Sequence, residues 1–562
     1  MSFQTYVSLW ATCFVGGLLA LYTIYSANQA VDYIPQCPMV EPHRPSTYLA
    51  NSQVIDTILH DLEFRNQSLI KLQKAIRIKT ETHDDDPATV EDDPEYWSKF
   101  DIFESYLRST FPLFYQNTEL HKVNYHGLVY IWRGTNTTLK PLLLMGHQDT
   151  SPVPESTLPL WTYPPFEAHY NGTHLFGRGS SDCKNLVIGY FEAAEELMKV
   201  GFIPRRTVVF SFGFDEEVSG VRNRNAQWLE QEFGSKSMYA ICDEGGVSLT
   251  TLDGTTMAVP GTGEKGFLNL WIDLSTPGGH SSVPPDHTSL GIMADLMIQI
   301  ENDPFPSYFT PQNPTYYQYV CLAENSATID KELKKNILQS QTSALSNKKV
   351  REYLESSRWL KYYIKTSQAL DVIHGGSKSN ALPEFVQLTI NSRVAIEESI
   401  HSALEKYLRN VKNVAEKYGL GLSYQLKNEP VVEIFPQTPQ GDFLVHTDEY
   451  FDVAPLTPVN DNHWKIFAGN IKHVYEELVW PDKYQGPNAH NPIIVSPGIA
   501  PGNTDTKYYW NLSDHIYRYR PGEYTSVETS AHGVNEWIKF DSHLQIIVFY
   551  FQYIQSVDEI DD

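Results

Sequence analysis

Basic residues are scarce in this chain of 562 residues. Its 43 Lys and Arg residues stand against 68 Asp and Glu residues, so the formal net charge is −25. Binding to the phosphates of a nucleic acid requires a basic surface, which excludes nucleic acid as a partner. The acidic surplus is typical of a well-solvated surface, and it also supplies carboxylates that can hold metal ions.

Cysteine is also sparse, and low-complexity sequence and internal repeats are absent. The five cysteines lack the paired spacing of a zinc ribbon or a disulfide-rich scaffold, and one unidentified disulfide is compatible with them. The composition, 41% hydrophobic and 20% charged, is that of a globular protein. The length predicts two domains and a terminal extension.

Three familiar catalytic patterns are missing or incomplete. No H-E-x-x-H occurs, which excludes a thermolysin-like zinc site. GTGEKG (261–266) matches a dinucleotide-binding fingerprint, but a strand pattern follows it where a helix is required. GGHSSV (278–283) lacks the final glycine of a serine nucleophile elbow.

Charged residues are absent from the first 31 positions. Residues 7–25 form an apolar run close to the length of a membrane-spanning helix, about 20 residues. This run predicts a membrane anchor at 1–30, followed by a proline-containing linker at 31–50. We favour an uncleaved anchor because the basic start of a secretory signal is missing, although small residues at 26, 27 and 30 leave cleavage open.

Asn-x-Ser/Thr sequons occur after the apolar run. Together with an anchor they favour a lumenal or extracellular position for the rest of the chain, because N-glycans are attached in that compartment. The candidate glycosylation sites are Asn66, Asn136, Asn171 and Asn511.

Strand and helix patterns alternate in residues 51–265. Short apolar runs predict strands at 142–145, 207–214 and 239–242, and apolar periodicity predicts a helix at 185–201. This alternation is typical of an α/β domain with a mixed, mostly parallel sheet. We therefore predict the first part of a catalytic domain here.

A second, smaller α+β domain is predicted at 266–432. Its strands are expected at 267–275, 385–394 and 422–427, and its helices at 289–302 and 399–419. A tyrosine-rich loop and a charged helical stretch interrupt it at 303–380. Residues 433–562 are expected to return to the catalytic domain.

Metal-binding residue types follow each predicted strand of the first domain. His147 follows the first strand, Glu217 the second and Asp243 the third. In open α/β sheets, sites form at the carboxyl ends of strands, so these side chains can converge. Asp182, just before the predicted helix, and His532, near the C-terminus, complete the candidate set.

The residue types fit a pair of zinc ions. Zinc accepts imidazole nitrogen and carboxylate oxygen, and two adjacent ions need an anionic bridge, for which Asp182 is placed. Asp149 can orient His147 as a carboxylate partner, and Glu216 can act as the general base. Each feature alone is common in structural histidines and helix caps, so the prediction depends on their combination.

Five motifs occur in a fixed order: GHQDT, GRGSSDCKN, DEE, CDEGG and AHGVNE. In this order they resemble the M20 di-zinc metallopeptidases, and the long chain resembles their carboxypeptidase S-like (Gly-X carboxypeptidase) branch. The resemblance covers residues 90–560. It implies a di-zinc exopeptidase-type catalytic domain and a ferredoxin-like lid domain through which a homodimer can form.

The resemblance also implies a role for each site residue. One zinc ion is bound by His147 and Asp243, the other by Glu217 and His532, with Asp182 as the bridge. Glu216 is the base, Asp149 supports His147, and the peptide bond between Asp182 and Cys183 is often cis in the family. In the inserted domain, His280, often from a partner subunit, stabilises the oxyanion. Asn380 and Arg393 bind the substrate carboxylate beside a loop at 502–505.

The expected function is a zinc-dependent carboxypeptidase that cleaves the C-terminal amide bond of short peptides of Gly-X type. Its expected location is the vacuole or secretory lumen, with secretion as the alternative. An N-acyl-amino-acid amidohydrolase, of aminoacylase or fatty-acyl type, uses the same chemistry and remains open. A catalytically inactive, membrane-tethered binding protein is disfavoured because all predicted ligands and the base are present.

Overall fold

The computed structural model describes residues 36–218, 220–487, 489–523 and 528–562. The chain divides into two compact units, Met1–Cys37 and Pro38–Asp562, and the second unit contains every element described below. The anchor predicted at 1–30 lies outside the described residues. Within them, no helix combines the length and apolar character that crossing a membrane requires.

The first part of the chain alternates strands and helices. Its strands are β1 (Glu119–Val123), β2 (Gly127–Trp132), β3 (Leu142–His147), β4 (His169–Tyr170), β5 (His174–Phe176), β6 (Val208–Gly213), β7 (Ala240–Asp243), β8 (Val247–Leu252), β9 (Thr255–Val259) and β10 (Gly261–Glu264). Its helices are α1 (Tyr48–His60), α2 (Leu62–Arg77), α3 (Pro94–Trp97), α4 (Lys99–Thr110), α5 (Pro112–Asn117), α6 (Lys184–Lys199) and α7 (Asn225–Phe233). These elements include the three strands and the helix predicted from the sequence.

The middle of the chain forms a second group of elements. Its strands are β11 (Gly266–Ser275), β12 (Gly279–His280), β13 (Ala369–Gly375), β14 (Ala381–Leu382), β15 (Phe385–Val394), β16 (Gly421–Leu426), β17 (Val432–Phe435) and β18 (Asp442–Phe451). Its helices are α8 (Ser289–Asn302), α9 (Pro314–Asn325), α10 (Lys331–Leu338), α11 (Ala344–Glu355) and α12 (Ile400–Tyr418). The GTGEKG motif forms β10 and the start of β11, so no helix follows it.

The last part of the chain returns to the first group. It contains β19 (Ile494–Val495), β20 (Gly498–Ala500), β21 (Ile516–Arg518), β22 (Trp537–Lys539), α13 (Asn462–His473), α14 (Pro481–Tyr484) and α15 (Phe540–Asp558). The apolar sequence of α15 is buried along its whole length, and it packs with α6 and the large sheet in one core. Helices rich in apolar residues on all sides are typical of such interior positions.

An eight-stranded mixed sheet forms the centre of the first domain, in the order β1-β2-β6-β3-β7-β21-β10-β20. Its central strands β6, β3, β7 and β21 are mutually parallel. The carboxyl ends of these strands therefore lie at one edge of the sheet, where the predicted site residues follow them.

A six-stranded sheet, in the order β13-β15-β11-β18-β16-β17, forms the second domain. One face packs against α8 and α12 through alternate residues such as Leu268, Leu270 and Ile390. Because β18 pairs between β11 and β16, this sheet extends to Phe451, beyond the predicted domain boundary at 432. Strand periodicity marks β18 as a strand, but it does not show which sheet the strand joins.

The insertion at 303–380 contains α9, α10 and α11, and it contacts both domains. Ser326 Oγ donates a hydrogen bond of 2.7 Å to the carbonyl of Asp253 in the first domain. Tyr308 Oη donates one of 2.9 Å to Glu398, just before α12 of the second domain. Among the described cysteines, Cys183 and Cys242 are free and buried.

Candidate metal centre

Three parallel strands bring the first candidate ligands together. His147 is the last residue of β3 and is paired in register with Gly213, the last residue of β6. Glu216 and Glu217 follow β6 in a short 3₁₀ turn, Glu216–Val218. The strand ends thus place a histidine and two carboxylates at one edge of the sheet, as the sequence predicts.

One cluster of candidate ligands surrounds the His147 imidazole. Its Nε2 lies 3.2 Å from Asp182 Oδ1 and 3.0 Å from Glu244 Oε1. His147 and Glu244 are buried, and Asp182 is partly buried. Cys183 Sγ belongs to the same group, but it accepts a hydrogen bond from the backbone N–H of His147.

A second cluster shares Asp182 with the first. His532 Nε2 lies 3.2 Å from Asp182 Oδ2 and 2.9 Å from Glu217 Oε2. The two oxygens of Asp182 therefore face two different histidines. This is the arrangement expected of a carboxylate that bridges two metal ions.

The geometry of these atoms fits metal ions. Ligand atoms at about 2.0–2.2 Å from one tetrahedral zinc ion lie roughly 3.4 Å apart, close to the separations above. The Glu217 carboxylate is buried, and a buried carboxylate needs a partner such as a metal ion or the His532 imidazole, whose Nε2 lies 2.9 Å from Glu217 Oε2. Hydrogen bonds to Asp182 and Glu217 raise the pKa of His532 to about 11, so the two carboxylates stabilise positive charge at this point.

Asp149 lies behind the first cluster, on the far side of the His147 ring. Its Oδ1 is 3.2 Å from His147 Nδ1, and its Oδ2 accepts hydrogen bonds from Thr82 Oγ1 and the backbone N–H of Glu217. Burial opposes ionisation, yet these contacts hold the pKa of Asp149 below its usual value. An ionised carboxylate at this place orients the imidazole of His147.

The turn that carries Asp182 is fixed by a carboxylate from the C-terminal region. The peptide bond between Asp182 and Cys183 is cis, as the family resemblance implies. Glu536 is fully buried and accepts hydrogen bonds from the backbone N–H groups of Ser181, at 2.8 Å, and Asp182, at 3.1 Å. Its other oxygen accepts one of 2.7 Å from Arg178. Glu536 is the last residue of the AHGVNE motif, from which the sequence analysis selected only His532.

Glu536→Gln should weaken metal binding without unfolding the chain, because a glutamine offers one acceptor oxygen where two carboxylate oxygens now accept hydrogen bonds from three backbone N–H groups and Arg178. Loss of such an outer-shell partner typically costs about 10–100-fold in metal affinity. The measurement is the amount of zinc that each chain retains at increasing concentrations of a chelator. Retention equal to that of the unsubstituted protein would show that Glu536 does not position Asp182.

The structure places Glu244, and not Asp243, in the first cluster. Both residues lie at the end of β7, but successive side chains of an extended strand point to opposite sides, so only one can reach His147. Asp243 is buried, and its Oδ2 accepts no hydrogen bond within the described residues. Burial and the charge of Asp182 raise the pKa of Glu244 to about 8.

This difference predicts the outcome of two single substitutions. Glu244→Gln should lower the metal content of the chain, whereas Asp243→Asn should leave it unchanged, because only Glu244 contacts His147 Nε2. The measurement is metal per chain after dialysis. Metal lost from Asp243→Asn and kept by Glu244→Gln would identify Asp243 as the ligand.

Glu216 lies beside the second cluster and is partly buried. Burial raises its pKa well above the usual value, and neighbouring carboxylates raise it further against the opposing charge of His147. Its position next to Glu217 is the one that the sequence predicts for the general base.

Arg393 and the loop at 502–505 meet at the junction of the two domains. Arg393 Nη1 donates a hydrogen bond of 2.6 Å to Asn503 Oδ1 of that loop. The two other predicted substrate residues lie elsewhere. His280 and Asn380 are exposed on the β12–β14 ribbon, and in the described chain no hydrogen bond joins either side chain to the metal clusters. His280 Nδ1 instead accepts hydrogen bonds from Ser282.

A third group of metal-binding residue types consists of Asp461, His463 and His515. The two imidazole rings are stacked, with centroids 3.7 Å apart and planes 9° apart. Their lone pairs lie in parallel planes and do not converge on one ion. Asp461 caps α13 and is 2.7 Å from His515 Nε2, so this group is a structural contact.

The chain belongs to peptidase family M20/M25/M40, whose model matches residues 143–556. It is therefore a hydrolase that cleaves peptide bonds. The fold and the two clusters described above agree with membership of this metallopeptidase family.

Similar proteins include Carboxypeptidase S of Saccharomyces cerevisiae, which is 40% identical over 93% of this chain and 89% of that protein. An N-fatty-acyl-amino acid synthase/hydrolase of Danio rerio is 28% identical over 81% of this chain and 80% of that protein. Among solved structures, the M20 family metallo-carboxypeptidase Sso-CP2 of Sulfolobus solfataricus has the same fold, with a TM-score of 0.57 and 16% identity. The match covers 88% of this chain and 99% of that one.

Proposed function

We propose that the chain is a zinc-dependent carboxypeptidase that hydrolyses the C-terminal amide bond of short peptides of Gly-X type. The observation that carries the proposal is the position of Asp182, whose two oxygens face His147 and His532 in two adjacent clusters. The similarity to Carboxypeptidase S supports the choice of a carboxypeptidase.

Two zinc ions would be held by the side chains of these clusters. His147 and Glu244 would hold the first, His532 and Glu217 the second, and Asp182 both. When bound, a zinc pair polarises the scissile carbonyl and lowers the pKa of water.

Glu216 is the residue placed to move the proton. It accepts a proton from the attacking water and delivers it to the leaving nitrogen, which is the task of a general acid–base group. Arg393 binds the free carboxylate of the substrate with its planar guanidinium, and Asn503 holds that guanidinium in place. A carboxylate fixed at Arg393 restricts cleavage to the terminal bond.

The test measures zinc per chain together with hydrolysis of a blocked Gly-Leu dipeptide by residues 36–562 secreted from an expression host. We expect about two zinc ions per chain, with turnover lost on chelation and restored by zinc. A folded protein that holds no metal and cleaves nothing would refute the proposal and favour the inactive binding protein.

A second candidate function is hydrolysis of N-acyl amino acids. The similarity to the N-fatty-acyl-amino acid synthase/hydrolase favours it, since both reactions cleave an amide beside a free carboxylate. Two zinc ions per chain without dipeptide cleavage, and with hydrolysis of N-acetyl- or N-oleoyl-amino acids, would select this function.

The second domain has an edge suited to dimerisation. β13 ends the six-stranded sheet, and its residues Val372 and Ile373 are exposed apolar side chains. Edge strands of this kind pair readily with another chain. A homodimer through this edge would present the exposed His280 of one protomer to its partner. Light scattering should give twice the mass of one chain, and a monomer at all concentrations would exclude the dimer.

We also propose a lumenal location, in the vacuole or along the secretory route, with the apolar N-terminal run as the anchor. Three of the four sequon asparagines, Asn66, Asn171 and Asn511, are exposed. Treatment of the protein from its native cells with an N-glycosidase should increase its gel mobility. Asn511→Gln should reduce this mobility shift by the contribution of one glycan, whereas Asn428→Gln, outside any sequon, should leave the shift unchanged. A protein without glycan would contradict the location.

A further inference from the structure

Three side chains form a row at the end of the second sheet that meets the loop at 502–505. Phe267 of β11 is paired in register with Arg393 of β15 on one side and Phe451 of β18 on the other. Directly paired residues project from the same face of a sheet. The alternate residues, such as Leu268, pack beneath the helices on the opposite face. The row is half-buried and faces the first domain's loop.

The row forms one connected aromatic and cationic surface. The Arg393 guanidinium lies 4.8 Å from the Phe267 ring centroid, and the Phe267 and Phe451 centroids are 6.3 Å apart. Tyr508 contacts Phe451 edge to face at 6.0 Å. Lys507 Nζ lies 4.8 Å from the Phe451 centroid.

This surface adjoins the catalytic turn. Tyr508 ends the short 3₁₀ helix Asp505–Tyr508 that follows Asn503. The Tyr508 ring packs so closely on Gly220 that a Cβ added there would lie 2.9 Å from it. Gly220 closes the turn that begins at Asp215 and carries Glu216. The aromatic rings therefore form a continuous series of contacts from Arg393 to the turn that carries the candidate base.

We propose that Phe267, Phe451 and Tyr508 form the subsite for the side chain of the C-terminal residue, and that it accepts a large aromatic or aliphatic side chain. The inference rests on the proposed function, because it takes Arg393 as the partner of the substrate carboxylate. The side chain starts one bond from the carbon that bears this carboxylate, so it must lie beside Arg393. An apolar side chain that packs against these rings is stabilised because its surface is removed from water. A basic side chain is repelled by the positive charges of Arg393 and Lys507.

The test compares blocked Gly-Phe, Gly-Leu, Gly-Ala and Gly-Lys. The unsubstituted enzyme should show kcat/KM values about 10- to 100-fold higher for Gly-Phe and Gly-Leu than for Gly-Ala, with Gly-Lys lowest. Phe451→Ala should reduce this preference about tenfold or more, because hydrolysis of Gly-Phe falls much further than hydrolysis of Gly-Ala. Tyr508 borders the same subsite from the other domain, so Tyr508→Ala should also reduce the preference for Gly-Phe over Gly-Ala.

Phe435→Ala is the matched control. Phe435 lies on β17, an edge strand of the same sheet, and also has a lysine, Lys412, whose Nζ is 5.6 Å from its ring centroid. This variant should keep the preference of the unsubstituted enzyme. Equal losses for all substrates in Phe451→Ala and Tyr508→Ala, or no change in preference, would overturn the subsite.

N-acetyl-Phe and N-acetyl-Ala separate this inference from the proposed function. Each carries the same free carboxylate and the same side chain as the corresponding blocked dipeptide, Gly-Phe or Gly-Ala, but neither is a peptide. If no dipeptide is cleaved while N-acetyl-Phe is preferred and Phe451→Ala removes that preference, the carboxypeptidase proposal fails and the subsite stands. If dipeptides are cleaved without regard to the C-terminal side chain, the subsite fails and the carboxypeptidase proposal stands. If neither class is hydrolysed, both fail.

Discussion

Replacing Glu216 by Gln is expected to leave both metal clusters loaded and to lower kcat by a factor of about 10²–10⁴. The substitution keeps the size of the side chain but removes its ability to accept a proton. Glu216 is not a member of either cluster, so the candidate ligands keep their positions. The measurements are kcat with a blocked dipeptide and zinc per chain on the same sample.

Glu217→Gln, one residue further on, is the control for this experiment. Glu217 Oε2 lies 2.9 Å from His532 Nε2, so this variant should lose metal as well as turnover. The pair therefore separates proton transfer from metal binding. Near-normal kcat in Glu216→Gln would rule out this residue as the base, and loss of zinc from the same variant would make it a ligand.

Replacing Arg393 by Met should weaken binding of the transition state by about 2–5 kcal/mol for substrates with a free C-terminal carboxylate. This corresponds to a kcat/KM that is roughly 30- to 5000-fold lower. Removing one partner of a hydrogen-bonded charge pair leaves the other charge without compensation. Arg393→Lys should recover only part of the loss, since an ammonium group cannot bind a carboxylate through two parallel hydrogen bonds.

The sharper measurement compares a blocked dipeptide with its C-terminal amide. The unsubstituted enzyme should strongly prefer the free carboxylate, and Arg393→Met should cleave both slowly and at similar rates. Arg409, exposed on α12 of the same domain, provides the control, and Arg409→Met should leave the preference intact. A preserved preference in Arg393→Met would place the carboxylate site elsewhere.

The parts of the fold that the sequence predicts are those with strong local signals. Continuous apolar runs produced β3, β6 and β7, because parallel strands covered on both faces are buried throughout. The ends of these strands then placed His147 and Glu217 together without knowledge of the loops.

The parts that the sequence could not predict depend on tertiary placement. Asp243 and Glu244 are neighbours of similar chemistry, and only the direction of the β7 end decides which reaches His147. Glu536 acts through backbone N–H groups, which leave no mark on the sequence. The distance of His280 from the clusters depends on how the two sheets are placed relative to each other, and local sequence patterns do not determine that placement.

The position of β21 has a consequence for how the protein is made. This strand comes from residues 516–518, yet it lies between β7 and β10, which are synthesised much earlier. When only the first 265 residues have been translated, β7 and β10 therefore each lack the strand that pairs with them in the finished sheet. Unpaired strand edges of this kind attract other chains. His532 is also synthesised late, so the second cluster can bind metal only after nearly the whole chain has been translated, and a truncated product lacks one of its ligands.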